Sequence, residues 1–168
     1  SVWVGVAIRS VIEHTDAPLC FHSLHDDTLN RKDRNRLIQT ATQNGNRIVF
    51  HAMDNSRWKD SQERMGRYTV GAMFRILLPE ILGELDKIIY LDADILVNRD
   101  IREVWDLDMQ QYCLAAVPDH PTVNGMGKPY PVAQKVVSAS HYFNSGVLLM
   151  NLDRIRAKGN MCEKVLDY

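Results

Sequence analysis

Short apolar runs recur along this chain, and helical segments stand between them. APLCFHSL, NRIVFHAM, DKIIYLDADILV, YCLAAVPD and HYFNSGVLLMNL read as strands, and several of them are apolar throughout rather than in alternation. A strand that is apolar on both faces must be covered on both, as in a parallel sheet flanked by helices. The intervening segments supply the helices. In SVWVGVAIRSVIEHTD, Val4, Ala7, Ile8 and Val11 recur at the i, i+3, i+4, i+7 spacing of an amphipathic helix. In DDTLNRKDRNRLIQTATQNG, Leu37, Ile38 and Ala41 face inward and Gly45 predicts the stop. In RYTVGAMFRILLPEIL, Val70, Met73, Phe74 and Leu77 form a third stripe, with Pro79 closing that helix or opening the next. DIREVWDL reads as a short helix, and a last one begins near Leu152. The pattern predicts an α/β fold with a largely parallel central sheet. HPTVNGMGKPYP, rich in Gly and Pro, reads as a loop.

The length, 168 residues, is that of one domain. A net charge of −1 argues against a protein that holds nucleic acid or an anionic membrane by bulk charge. The three cysteines, Cys20, Cys113 and Cys162, form no C-x-x-C pair, so neither a disulfide framework nor a cysteine-rich zinc site is expected. No run approaches the ~20 apolar residues that span a bilayer. The expected compartment is the cytoplasm, with peripheral association at the inner face of the membrane left to segments outside these residues. Ser1 opens inside apolar sequence, and MCEKVLDY reads as an unfinished helix. The expectation is therefore one domain over residues 1–168, cut at both ends.

One strand ends unusually. In KIIYLDADILVN, Asp92 and Asp94 follow the apolar run directly, separated only by Ala93. In open α/β sheets, ligands bind beyond the carboxyl ends of the strands. If strand geometry continues through DAD, both aspartates point to one side and Ala93 to the other. Two convergent carboxylates repel and raise each other's pKa, and a divalent cation relieves the repulsion. Hard oxygen ligands suit Mg²⁺ or Mn²⁺, which keep open positions for water or phosphate oxygens. The reading is a metal clamp for a diphosphate. The alternative is a pair of surface carboxylates capping the following turn.

The context narrows the choice. RILLPEILGELDKIIYLDADILVNRDIREVWDLD, residues 75–108, closely resembles the core of glycosyltransferase family eight. These are retaining enzymes of GT-A fold, related to bacterial lipopolysaccharide galactosyl- and glucosyltransferases and to glycogenin. HYFNSGVLLMNL, residues 141–152, is similar to that family's other internal motif, and VGVAIRSVIEHTDAPLCFHSL resembles its first helix and following strand. The resemblance implies that Asp92 and Asp94 hold Mn²⁺ or Mg²⁺ on the diphosphate of a UDP-sugar, with the backbone at Ala93 against the ribose. It implies that Arg75 contacts the donor sugar or its phosphates. Asn144, Ser145 and Gly146 would border the donor sugar and the reaction centre, and Asp119 would face the sugar pocket. The implied reaction is a hexosyltransferase reaction: hexose transfer, with retention, to a hydroxyl of a glycan or lipid-linked saccharide such as lipopolysaccharide.

Each assignment has an ordinary alternative. Arg75 lies off the apolar stripe beside Gly71 and could be a solvated or ion-paired arginine. Asn144 could be a turn residue at the start of a strand, with Gly146 supplying unusual φ. The family's first strand, which contacts uridine, and its later H-x-x-G-x-x-K-P-W-type motif, whose histidine completes the metal shell, are both absent from these residues. Loss of a central strand would leave open sheet edges. Two other functions therefore compete. One is a nucleotide-sugar-binding or inactive fragment. The other is a haloacid-dehalogenase-type phosphatase, which also places D-x-D after an apolar strand but wants Thr or Val where Leu96 stands. None of the six histidines forms H-E-x-x-H, and His22 and His25 read as structural. The charged RKDRNR stretch reads as a solvated helix face.

Overall fold

The computed structural model describes residues 2–54, 73–118 and 143–159. Helix α1, Val2–His14, leads into strand β1, Cys20–His25, helix α2, Arg31–Ala41, and strand β2, Arg47–Ala52. After the next undescribed stretch, a 3-10 turn over Phe74–Leu77 runs into α3, Leu78–Ile81, and then β3, Lys87–Leu91. Helix α4, Arg102–Trp105, and strand β4, Leu114–Pro118, follow, and the last pair is β5, Phe143–Asn151, and α5, Leu152–Ala157.

The described strands form two sheets. β1 and β2 pair in parallel, and β5 lies between β3 and β4. β5 runs antiparallel to both neighbours and so departs from the expected parallel pattern. An apolar run records burial on both faces, not strand direction, so this reversal is not written in the pattern.

Helices α1 and α2 cover one face of the β1–β2 pair. Ile8, Ile12, Leu37 and Ala41 are buried together, with Phe21, Ile48 and Phe50 of the strands packed against them. The expected inward stripe of α1 is seen at Ala7, Ile8 and Val11. Asn30 caps α2 by accepting the Asp33 N–H at 2.9 Å. That helix stops at Ala41, before Gly45, because Asn44 (φ 57°) and Gly45 (φ 78°) both take left-handed backbone. On the opposite face of β1–β2, the Nδ1 of His22 lies 3.0 Å from the Nε2 of His51, with the two rings stacked. Cys20 Sγ lies 3.4 Å from His22 Nε2. Burial lowers the pKa of both imidazoles, helped at His22 by His51 and Arg47 and at His51 by His25.

A second core lies under β3–β5–β4. Leu78, Leu82, Leu148, Met150, Leu152 and Ile155 are buried there, and Ile88, Tyr90 and Leu114 pack on them. The predicted long helix is interrupted in its described part: Met73 is α-helical, a 3-10 stretch follows over Phe74–Leu77, and α3 resumes α geometry. Pro79 sits in the first turn of α3, where its missing N–H costs nothing. Phe74 and Leu77 still face inward. Arg156 of α5 secures this corner: its guanidinium donates to the carbonyls of Pro79 (3.1 Å), Leu82 (3.4 Å) and Leu85 (2.9 Å).

Two hydroxyls join the halves. Ser10 Oγ accepts the Val97 N–H at 3.0 Å, and Thr15 Oγ1 accepts the Ile101 N–H at 3.1 Å. Both are buried, at 5% and 7% exposure. They tie the segment after β3 to α1. Among the described residues no helix is long and apolar enough to cross a membrane.

Candidate active site

The carboxyl end of β3 and the amino end of β5 meet because the two strands are antiparallel, with Leu91 opposite Val147. The Asp92 N–H donates to the Gly146 carbonyl at 2.8 Å, which carries the pairing one residue past the strand. Asp92 is thereby held against the FNSG segment. Its Oδ1 accepts the Tyr90 hydroxyl at 2.6 Å and lies 3.1 Å from Nη2 of Arg75. The Nη1 of Arg75 donates to the Ser145 carbonyl. The same guanidinium lies over the Tyr90 ring, 4.8 Å from its centre. Only 15% of the Arg75 side chain is exposed, against 32% for Asp92. This partial burial keeps the ion pair from being screened as a surface pair would be.

Gly146 gives the site its open corner. A Cβ built on it would lie 3.0 Å from Oδ2 of Asp92 and 3.2 Å from Oδ1 of Asn144. Asn144 turns its Oδ1 back onto the Gly146 N–H, at 2.8 Å. Its side chain therefore folds back along the first residues of β5, which are strand rather than turn, and Gly146 lacks the unusual φ that the ordinary reading expects of it. Arg75 is ion-paired, and the pairing is to Asp92 itself.

Strand geometry does not continue through DAD, contrary to expectation. β3 ends at Leu91, and the Ile95 N–H closes a turn onto the Asp92 carbonyl at 3.2 Å. Ala93 and Asp94 are exposed in that turn. Leu96 of the second apolar run is 68% exposed and belongs to no strand. Burial first, then the bond to Asp92, pushes the Tyr90 phenol far above its ordinary pKa, and the charges of Asp92 and Asp94 add to this against Arg75. The structure thus brings Arg75, Asp92, Asn144, Ser145 and Gly146 together, with Ala93 and Asp94 on the adjoining turn. Asp119 lies outside the described residues, as do Val70 and Gly71. Among the described residues no group of three or more His, Cys, Asp or Glu side chains is placed to hold a metal ion.

Tyr90 is the residue that sequence reasoning passed over. It was counted only as part of an apolar run. Its position two residues before Asp92, on the same face of the strand, was the available signal.

Residues 1–167 match the family described as Glycosyl transferase family 8. The chain belongs to glycosyltransferase family 8. It is 30% identical over 148 residues to general stress protein A of Bacillus subtilis, covering 85% of this chain and 48% of that protein. It is 28% identical to the lipopolysaccharide 1,3-galactosyltransferase of Salmonella typhimurium, covering 97% of this chain and 48% of that protein. The fold is similar to that of the galactosyltransferase LgtC solved with donor and acceptor sugar analogues. That match has a TM-score of 0.78 and 26% identity, over 96% of this chain and 57% of LgtC. The family 8 chain thus has the α/β GT-A fold, and it spans about half the length of the curated relatives it matches. Family 8 membership sets aside the dehalogenase-type phosphatase.

Proposed function

We propose that this chain carries the donor-binding centre of a retaining hexosyltransferase. In this reading it takes a hexose from a UDP-sugar and passes it to the hydroxyl of a glycan or lipid-linked saccharide, lipopolysaccharide being the class suggested by the Salmonella relative. The observation that carries the reading is the seat of Asp92. It lies at a strand end where a half-buried arginine, the FNSG start of β5 and a carboxylate oxygen that bonds to none of the described residues meet.

The residues fit a hard divalent cation. Both donors to Asp92 approach Oδ1, and Oδ2 faces the gap left by the missing Cβ of Gly146. Asp92 and Asp94 would hold Mn²⁺ or Mg²⁺, with the remaining positions open to diphosphate oxygens. Such an ion, when bound, neutralises charge on the departing diphosphate. Arg75, close by and well shielded from solvent, would add its own positive charge to the same leaving group. Asn144 and the FNSG start of β5 would border the hexose, with the backbone at Ala93 against the ribose and Asp119 as a further contact to the sugar. In the transfer the bond from the anomeric carbon to the diphosphate oxygen breaks, a bond to the acceptor oxygen forms on the same face, and the acceptor hydroxyl's proton passes to the departing diphosphate.

The alternative is a nucleotide-sugar-binding protein without turnover. It is favoured by the two-carboxylate donor set, which has no third acidic, histidine or cysteine ligand among the described residues. Calorimetry with UDP, with and without Mn²⁺, tests the common site. Wild-type chain should bind UDP in a Mn²⁺-dependent manner, and Asp92→Asn should lose that dependence. Binding indifferent to both metal and Asp92 would remove the site. A UDP-release assay with candidate UDP-hexoses then separates transfer from simple binding.

A further inference from the structure

We propose that Tyr90 is a positioning residue that fixes Asp92 as a one-oxygen metal ligand. This rests on the reading of Asp92 as a metal ligand and adds a residue to it. A carboxylate at a strand end turns easily about its last torsion, whose profile is broad and two-fold. Left alone, Asp92 would exchange its two oxygens and present either, or both, to a cation. Here the Tyr90 hydroxyl holds Oδ1 at 2.6 Å, and Arg75 approaches the same oxygen at 3.1 Å. Oδ2 is the oxygen directed at the Gly146 gap.

Of the two holders, Tyr90 is the rigid one. It is on the same strand as the ligand's attachment point and opposite Leu148 in the β3–β5 register. Its ring packs on the buried cluster of Leu78, Leu82, Leu148 and Met150. Arg75 reaches the site on a long side chain and rests its guanidinium on the tyrosine ring. The tyrosine therefore orients Asp92 directly through its hydroxyl and seats Arg75 through its ring face. Groups that orient a ligand in this way set metal affinity without touching the metal.

Tyr90→Phe separates these roles, because it keeps the ring and the core packing and removes the hydroxyl. Mn²⁺ binding in the presence of UDP is followed by the loss of the free Mn²⁺ resonance in electron paramagnetic resonance. Asp92→Asn and Leu148→Ala are measured beside it, the latter loosening the same core without touching the carboxylate. The expected result is roughly tenfold to hundredfold weaker Mn²⁺ binding in Tyr90→Phe. Its thermal midpoint should stay close to that of the wild type. Leu148→Ala should show the converse: a lowered midpoint with Mn²⁺ affinity largely kept. Two results overturn the proposal: wild-type Mn²⁺ affinity in Tyr90→Phe while Asp92→Asn loses it, or equal loss in Tyr90→Phe and Leu148→Ala. Unchanged binding in Asp92→Asn overturns the metal-ligand reading itself, and the role of Tyr90 with it.

Discussion

Gly146 and Asp92 face each other so closely that a single methyl group would collide with the carboxylate, its carbon 3.0 Å from Oδ2. The backbone at Gly146 is not left-handed, so alanine is tolerated there conformationally. Gly146→Ala should therefore fold, yet it must displace either Asp92 or the Asn144 amide. Mn²⁺-dependent UDP binding is expected to fall by roughly tenfold or more, as for other shifts of a ligand's support. Calorimetry beside a thermal melt checks this. A variant that binds UDP and Mn²⁺ like the wild type would show that the gap is not used.

Ser10 offers a test on the other side of the same loop. Its hydroxyl donates to the Ala7 carbonyl at 2.7 Å and accepts the Val97 N–H at 3.0 Å. Ser10→Ala removes the acceptor from a part-buried amide, a loss of about 1–2 kcal/mol. Alanine's better helix propensity offsets a few tenths of that. Urea unfolding should register the net loss as a lower midpoint with an unchanged slope. Thr15→Val, which strips the acceptor from Ile101, should behave in the same way.

The imidazole pair on β1–β2 makes stability depend on pH. Both His22 and His51 have pKa values below the ordinary one, so the unfolded chain takes up protons first as pH falls. Their contribution is fully present above the unfolded value of about 6.5 and is lost as pH drops below it. Urea midpoints should therefore fall between pH 7.5 and pH 5.5, about 1 unit either side of that value and above the carboxylate range. His51→Gln should flatten the fall, since it removes one titrating ring and relieves the other. An equal slope in wild type and variant would mean that other groups control the window.

Much of this was legible in the residues, and the misses have physical causes. The apolar run IIYL marked β3, and the two aspartates marked its end, because carboxylates cannot continue a buried ladder without partners. The stripe at Met73, Phe74 and Leu77 predicts burial, found at Phe74 and Leu77, and one continuous α-helix, which a 3-10 stretch over Phe74–Leu77 interrupts. Residues spaced by three and four face one way in a 3-10 turn as well as in an α-helix, and Pro79 reset the backbone just beyond. The spacing of Asp92 and Asp94 predicts strand geometry through both, but β3 ends at Leu91 and the turn bond from Ile95 to Asp92 takes the chain off the strand. Arg75 and the FNSG start of β5 came from the family resemblance alone, since 70 residues separate Arg75 from Ser145 and no local pattern joins them. Tyr90 was hidden by its own versatility: a tyrosine in an apolar run reads as core until something is seen at its hydroxyl.

Arg156 binds three carbonyls of the α3 corner, and that corner begins in the turn that bears Arg75. The Arg75 guanidinium is thus hung from a corner that Arg156 fastens on the same face of the sheet, through the core shared by α3, α5 and Tyr90. Sequence drift at position 156 can retune Arg75 without altering any group that would touch a sugar nucleotide. Searches for specificity determinants in this chain should look beneath the site, at the packing of α5 on α3, as well as into the cleft.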